Sequence, residues 1–418
     1  MRTEFSPAQL ADPQMVDAVK AVRACVHCGI CTATCPTYVL LGDERDGPRG
    51  RIVQMQKMLE PGGIVSEETV RHVDRCLSCL NCRSACPSSV DYQRLVDQAR
   101  VHIHQQYRRP LGERLLRWIL ANVMTRPKLV SLGLLLAPLG TWIPGRFGAL
   151  ARTGVRVRPG RITATPPHLA NPIRRIAIMP GCVQKAMAPE IDEAVARVLA
   201  RRGIVLVALP GAGCCGSLPH HLGRDEEARA WAKRAITAYE AAGCDGVLIS
   251  ATGCSAHMKD YAHLFAGDAV WEPRARAFAT AALDLLEILT PASGEKHNVR
   301  VAYHPACSMT NGLKFSGRGE ALLAASGFTL VPFGESHLCC GSAGSYSILQ
   351  PALSGQLKAR KLTQIAAADP DVIVSGNIGC LQQLSGGIPV LHIAQLLDWA
   401  EGGPISLPGK VELPAKPR

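Results

Sequence analysis

His337–Gly344 reads HLCCGSAG, and Gly211–Leu218 reads GAGCCGSL. The fold is decided by this pair of adjacent thiols, followed by glycine and written twice. Side chains on neighbouring residues diverge, so a disulfide between them is strained. The pair must therefore serve something outside itself. Working outward, other cysteines recur at the same offset. Cys182 to Cys307, Cys214 to Cys339 and Cys215 to Cys340 each span 125 residues, and Cys254 to Cys380 spans 126. Little else is identical between the halves, so the chain carries a duplicated domain marked by its cysteines.

Around these cysteines, short apolar runs alternate with amphipathic ones. In the first copy RRIAIMPG, IVLVAL and GVLIS read as strands, and PEIDEAVARVLARRG and RDEEARAWAKRAITAYEAAG as helices, the former closed by Gly203. In the second, VRVAYHP, FTLVPF and DVIVSG read as strands, GRGEALLAASG and PALSGQLKARKLTQIAAA as helices, and IPVLHIAQLLDWA as a closing strand and helix. Such alternation predicts parallel sheets covered by helices. Open parallel sheets bind ligands beyond the carboxyl ends of their strands. Cys182, Cys214, Cys215 and Cys254 each follow a strand, as do Cys307, Cys339, Cys340 and Cys380. Four sulfurs are thus expected at one spot per domain. Soft thiolates there suit an iron–sulfur centre, a single metal or a redox-active thiol set. Cys244 precedes its strand and its counterpart is Asp369, so it reads as structural. Gly341 is expected to let the backbone turn close to whatever is bound. His220, His221, His304 and His337 lie near these loops as spare ligands, acid–base groups or plain surface residues.

The N-terminal part repeats a different pattern. CVHCGICTATCP supplies Cys25, Cys28, Cys31 and Cys35, and CLSCLNCRSACP supplies Cys76, Cys79, Cys82 and Cys86. Both are C-x2-C-x2-C-x3-C-P. Three such cysteines wrap one iron–sulfur cube, and the fourth ligates the other cube in two-cluster ferredoxins. Two [4Fe-4S] clusters are expected, one on Cys25, Cys28, Cys31 and Cys86, the other on Cys76, Cys79, Cys82 and Cys35. The competing reading is paired structural zinc, which usually takes two separated pairs of thiolates. The motifs lie 51 residues apart, a gap that helices must fill. GDERDGPRGRI follows the first motif. Its glycines offer close backbone approach to sulfur, and Arg49 or Arg51 offers charge to a cluster; a turn into the next helix is the simpler account. His27, between two ligands, reads as a loop histidine or a hydrogen-bond donor to a cluster.

Charge is concentrated in one place. Arg100–Ala170 holds 12 Lys/Arg against one acid, Glu113, so +11 of the chain's +12 lies there. The same window contains LVSLGLLLAPLGTWI, too short to span a bilayer and interrupted by Pro138. It reads either as a basic, partly apolar surface for an acidic partner or a membrane, or as a packed helical linker. No nucleic-acid motif accompanies it, so no nucleic acid is expected. The start, MRTEFSPAQL, has acid and polar residues where a secretory signal would be apolar. A reducing cytoplasm is therefore expected, where clustered cysteines are metal ligands sooner than disulfides.

These stretches together resemble the iron–sulfur subunits of bacterial glycolate oxidases (glycolate dehydrogenases). The resemblance rests on RACVHCGICTATCPTYVLLGDERDGPRGRI, DRCLSCLNCRSACPSSVDY, SHLCCGSAGSY and NIGC, and covers nearly the whole chain. Subunits of anaerobic glycerol-3-phosphate and D-lactate dehydrogenases, and of heterodisulfide reductases, are similar in plan. The long GDERDGPRGRI and HLCCGSAGSY matches favour the glycolate family. The resemblance implies an α+β multidomain chain: a helical two-[4Fe-4S] ferredoxin-type domain (1–105), a basic helical connector (106–170), and tandem α/β cysteine-rich CCG domains (171–295 and 296–418). It implies electron transfer from FAD-containing partner subunits to a downstream acceptor, expected to be quinone, at or near the inner membrane face. No glycine-rich dinucleotide fingerprint is present, and PGAGCCG, the nearest, is occupied by cysteines, so this chain alone is not expected to oxidise glycolate. A CCG domain that itself reduces a disulfide or quinone is the alternative. One departure stands out. Heterodisulfide-reductase-type domains end in C-x-x-C, whereas Cys254 is followed by Ser-Ala-His and Cys380 by Leu-Gln-Gln. That puts a heterodisulfide-type cluster in doubt and leaves a four-thiolate site open.

Overall fold

The computed structural model describes residues 2–140, 171–179, 181–292 and 295–404. The basic connector beyond Gly140, including the proline-rich stretch before Pro172, lies outside them. The first hundred residues form a helical body. Helix α1 (Pro13–Ala24) starts at Asp12, whose carboxylate accepts from Gln14 N, with Pro13 in its first turn. Helices α2 (Pro36–Leu41) and α3 (Pro48–Leu59) also begin on proline, and α4 (Glu67–Asp74) is capped by Ser66. A short α5 (Asn81–Ser84) leads to the long α6 (Tyr92–Gln106). Val19, Val22, Met55, Leu59, Val73, Leu95 and Val96 meet in one core. Each such side chain buried adds roughly 1.5–3 kcal/mol.

The connector begins with α7 (Leu111–Asn122) and α8 (Pro127–Gly140), and α8 runs through Pro138. Among the described residues, no helix is long and apolar enough to cross a membrane. Arg109 and Arg117 are not free to meet a partner. Both reach Asp74 of α4, at 2.6 and 2.8 Å, and both bond Glu113. Arg108 and Arg114 are exposed beside Leu111, Leu115 and Trp118. Among the described residues, the exposed Arg108 and Arg114, with Arg126 and Lys128, are the connector cations open to docking, while Arg109 and Arg117 are not.

Two four-stranded parallel sheets follow. Strands β1 (Arg174–Ile178), β2 (Ile204–Ala208), β3 (Gly246–Leu248) and β4 (Ala282–Leu283) lie in the order β2-β1-β3-β4. Strands β5 (Arg300–Tyr303), β6 (Thr329–Leu330), β7 (Val372–Ser375) and β8 (Val390–His392) lie in the order β6-β5-β7-β8. Ile176 pairs with both Leu206 and Gly246, so β1 is flanked on both sides and its inner residues are apolar on both faces. The apolar run FTLVPF yields only Thr329–Leu330 as strand, because Pro332 has no N–H for the ladder. The two-residue β4 has no apolar run to announce it.

The two halves pack as one body. Ile178 and Val195 share a core with Val301 and Leu397. Thr252 Oγ1 donates to Gly376 O at 2.7 Å, and Arg197 and Arg201 converge on the buried Asp398 at 2.7 and 2.8 Å. The helical body is tied to the first half by Arg94, which grips Asp260 through two bonds of 2.5 and 2.6 Å.

Candidate metal centres

Cys25 closes α1, Cys28 lies in the following loop, and Cys31 sits in the single turn Ile30–Thr32. Left-handed backbone at His27 (φ 56°) and Gly29 (φ 82°) curls this loop around. Cys25, Cys28, Cys31 and Cys86 line one small cavity of about 30 Å³, and Cys82 lines it too. Burial first, then the thiolates of Cys25, Cys86 and Cys28, push the Cys31 thiol up to about 11. Cys28 is exposed, so this set lies at the surface. Arg49 braces the loop backbone through His27 O at 3.3 Å, while its Nε holds Glu44. It touches no sulfur in this set.

Cys35, Cys76, Cys79 and Cys82 form the second group. Burial raises Cys82, followed by Cys76 and Cys35; burial raises Cys79, followed by Cys339, Cys82 and Cys35. Donors converge on these sulfurs. Arg51 Nη1 and Tyr92 Oη each stand 3.8 Å from a sulfur, those of Cys35 and Cys76, and Thr37 Oγ1 lies 3.3 Å from Cys35 Sγ. Arg51 is 1% exposed and is fixed by His72 O at 2.7 Å and Asp46 Oδ1 at 3.2 Å. Asp46, fully buried, also meets Arg75 at 2.7 Å. The GDERDGPRGRI stretch thus serves as a charge mount for Arg51. Its glycines do not approach sulfur: a Cβ on Gly50 would stand 2.1 Å from Glu44 O, so that glycine lets the turn pack on α3.

Eight thiols in two groups of four fit two [4Fe-4S] clusters. They are soft donors, and within these groups burial and neighbouring thiolates raise Cys31, Cys79 and Cys82. Arg51 and Tyr92 supply the outer hydrogen bonds that such anionic centres need.

The repeated cysteines gather at the carboxyl ends of the two sheets. Cys214 Sγ lies 3.5 Å from Cys182 Sγ, and the neighbouring Cys214 and Cys254 thiols hold Cys215 well below the ordinary thiol range. In the second half Cys307 and Cys339 stand 4.0 Å apart, and Cys340 and Cys380 3.6 Å. All eight line one shared cavity of about 920 Å³. Cys339 also joins Cys79 in one apolar cluster with Tyr346 and Leu353, so the second half's sulfurs abut the buried ferredoxin-type group. The contact is locked by amides: Asn311 Nδ2 donates to Cys79 O, and Asn81 Nδ2 to His337 O, each at 2.8 Å. His337 is exposed and supplies only this carbonyl. Cys244 lies away from the cavity, packed in the first half's core.

Gly341 makes the expected turn, and packing adds a second reason for glycine there. It has φ 90°, and a Cβ there would stand 2.9 Å from Leu357 Cβ and Ser354 O. Gly216 has φ 85° and would meet Ala228 O at 2.9 Å. Both glycines allow a left-handed turn pressed against a later helix, and the turn brings backbone to sulfur: Gly216 N donates to Cys214 Sγ at 3.3 Å.

Three histidines stand in the cavity wall. His220 Nδ1 lies 2.9 Å from Asp225 and its Nε2 3.3 Å from Asp97. Burial opposes its charge, but the two carboxylates outweigh it and hold it protonated well above the ordinary histidine range. Its ring lies 5.0 Å from that of His257. Burial and the neighbouring His220 push His257 down to about 4, and burial and Arg100 push His221 down to about 3. The sequence reading missed His257. The signal was present: GCSAH places it one helical turn after Cys254.

A fold of this kind, with two sets of ferredoxin-type cysteines mounted against paired cysteine-rich sheets, defines an iron–sulfur electron carrier. The family model for the 4Fe-4S dicluster domain matches residues 24–90, and that for the cysteine-rich domain matches 176–259 and 301–385. The chain is 39% identical over 414 residues to the glycolate oxidase iron-sulfur subunit of Escherichia coli (strain K12), covering 96% of this chain and 99% of that one. It is 30% identical to the probable glycolate oxidase iron-sulfur subunit of Bacillus subtilis (strain 168), covering 90% and 94%. Lactate utilization protein A of Exiguobacterium sp. is 29% identical over 53% of this chain and 96% of its own. A solved structure of a hypothetical protein from Helicobacter pylori shares the fold, with TM-score 0.52 at 10% identity, over 88% of this chain and 66% of that one. The chain belongs to the family of glycolate oxidase iron–sulfur subunits.

Proposed function

We propose that this chain is the electron-transfer subunit of a glycolate-oxidising complex, receiving electrons from FAD-containing partner subunits and delivering them to a quinone. Cys25, Cys28, Cys31 and Cys86 hold one [4Fe-4S] cluster, and Cys35, Cys76, Cys79 and Cys82 hold the other. The CCG cysteines hold further iron–sulfur centres at the shared cavity. Bound clusters supply one-electron transfer. The residues do the rest: they order the donor sets, exclude water from the inner ones and handle protons at the acceptor.

The observation that carries this reading is the contact between Cys79 and Cys339 within one apolar cluster. It makes a continuous series of donor sets, from the exposed Cys28 to a cavity large enough for an organic acceptor. A quinone takes up protons with its electrons, and His220, kept protonated beside neutral His257, stands ready in the cavity wall. Exposed Leu111, Leu115 and Trp118 beside Arg108 and Arg114 support docking of the connector on the partner or on the inner membrane face. With no dinucleotide fingerprint in the sequence, hydride removal falls to the partner.

The complex rebuilt with its flavin subunits and assayed with glycolate, D-lactate and glycerol-3-phosphate tests the substrate. Glycolate should be oxidised fastest; faster D-lactate turnover would favour the lactate reading suggested by the Lactate utilization protein A relatives. Cys339→Ser should spare reduction of an artificial dye and abolish quinone reduction. Equal loss of both activities, or of neither, refutes the proposed order of centres.

A further inference from the structure

The two cysteine-rich halves differ at a position that their shared cysteines conceal. Met179 follows β1, and His304 follows β5; they lie 125 residues apart, the offset that relates Cys182 to Cys307. Their backbones are placed alike. Met179 N donates to Leu248 O of β3 at 2.9 Å, and His304 N to Val374 O of β7 at 2.7 Å. Both side chains are buried, at 0% and 1% exposure. One location, at the carboxyl end of the central strand, therefore carries a thioether in the first half and an imidazole in the second.

In the second half that imidazole has company. A ring nitrogen of His304 and the sulfurs of Cys340 and Cys380 lie within 4.8 Å of one another. His304 Nδ1 is buried with no hydrogen-bond partner among the described residues. A buried histidine beside two thiols, with one ring nitrogen left unpartnered, is costly to a packed interior unless it has a ligand's role. Asn377 Nδ2, 3.6 Å from Cys380 Sγ, supplies an outer contact of the kind that orients metal ligands. Imidazole and thiolate together select zinc, copper or iron. The set abuts the buried ferredoxin-type cysteines through Cys339, and zinc carries no electrons.

We propose that His304, with Cys340 and Cys380, ligates iron in the second cysteine-rich half, so that its centre has mixed imidazole–thiolate ligation while the first half's centre, at Met179, does not. This rests on the reading that the CCG cysteines hold iron–sulfur centres. Where neutral imidazole takes a thiolate's place on the iron, the potential of the centre rises. The half nearer the ferredoxin-type body is then the better electron acceptor of the two.

The test uses the full chain, purified anaerobically, with metal analysis and pulsed electron paramagnetic resonance. Protein grown on ¹⁵N-histidine should show the labelled nitrogen coupled to a reduced centre, in wild type and without any substitution. His304→Met, which copies the first half, should lose that coupling and keep the two ferredoxin-type signals. Met179→His should create a second coupled nitrogen. Total iron above about eight atoms per chain, the content of two cubanes, with no histidine coupling overturns this inference alone. Iron of about eight with both halves empty overturns the underlying reading as well. Coupling that persists in His304→Met, or zinc in place of iron in that half, also overturns it.

Discussion

Replacing Arg51 by glutamine should lower the reduction potential of the cluster proposed on Cys35, Cys76, Cys79 and Cys82, and leave its neighbour unchanged. Arg51 Nη1 stands 3.8 Å from Cys35 Sγ. At an effective dielectric of about 20, a unit charge at that separation is worth roughly 4 kcal/mol to the sulfur. Two things reduce that figure. Asp46, 3.2 Å from the guanidinium, partly cancels its field. The electron added on reduction also spreads over the whole cluster. A net effect of about 1.5–2 kcal/mol remains. With about 59 mV equivalent to 1.4 kcal/mol for one electron, the potential should fall by roughly 60–90 mV. The fold should survive, because Asp46 keeps Arg75 and the nearby His72. The assay is a potentiometric titration of the anaerobic chain followed by electron paramagnetic resonance. Arg49→Gln is the control, since Arg49 bonds Glu44 and a carbonyl. A fall below about 20 mV, well under the Coulomb estimate, or an equal fall in both clusters, refutes the assignment of Arg51 as the charge partner of that set.

Two other outcomes follow from buried charge. Arg117→Gln should lower stability by about 1–2 kcal/mol, because it strips one cation from the partly buried Asp74 network, whereas Arg108→Gln with Arg114→Gln should leave the thermal midpoint unchanged and weaken low-salt association with the partner or anionic vesicles. Equal midpoints for all the variants would refute the division between pinned and free arginines. His220→Asn strands Asp97 and Asp225 and should cost about 3–5 kcal/mol near pH 6. Because the folded state holds the His220 proton more tightly than the unfolded chain, the stabilisation is full below the ordinary histidine value of about 6.5 and fades as pH rises through the raised value. Urea denaturation of wild type and variant from about pH 6 to about pH 9 should therefore show the gap closing upward; a gap that widens sinks the assignment.

Much of the fold was legible because cysteine spacing is a stiff constraint. Cysteines recurring at offsets of 125 and 126 residues announced the duplication, and the predicted strand ends brought them together. What stayed hidden is tertiary. Nothing in the local pattern around Cys79 and Cys339 shows that they share a cluster, because that depends on how a helical body settles on a distant sheet. The two cysteine sets were legible as sites, but their opening onto one cavity depends on how the halves pack through Asp398 and Gly376. The pinning of Arg109 and Arg117 stayed hidden because their partner, Asp74, lies on a different helix. At Gly341 the turn was legible, but its close approach to Leu357 and Ser354 is tertiary, and composition cannot show it.

The amide lock between the two bodies also sets an order of assembly. Asn311 grips the carbonyl of Cys79 across a sequence separation of 232 residues, and Asn81 is held by the carbonyl of His337 across 256. A ribosome exposes the second C-x2-C-x2-C-x3-C motif long before it has made either partner. The loop between Cys79 and Cys82 therefore gains its final shape only after nearly the whole chain has emerged. The bonds that fix this loop to the second half can form only once residue 337 has emerged, so the Cys79 region takes its packed setting late in synthesis.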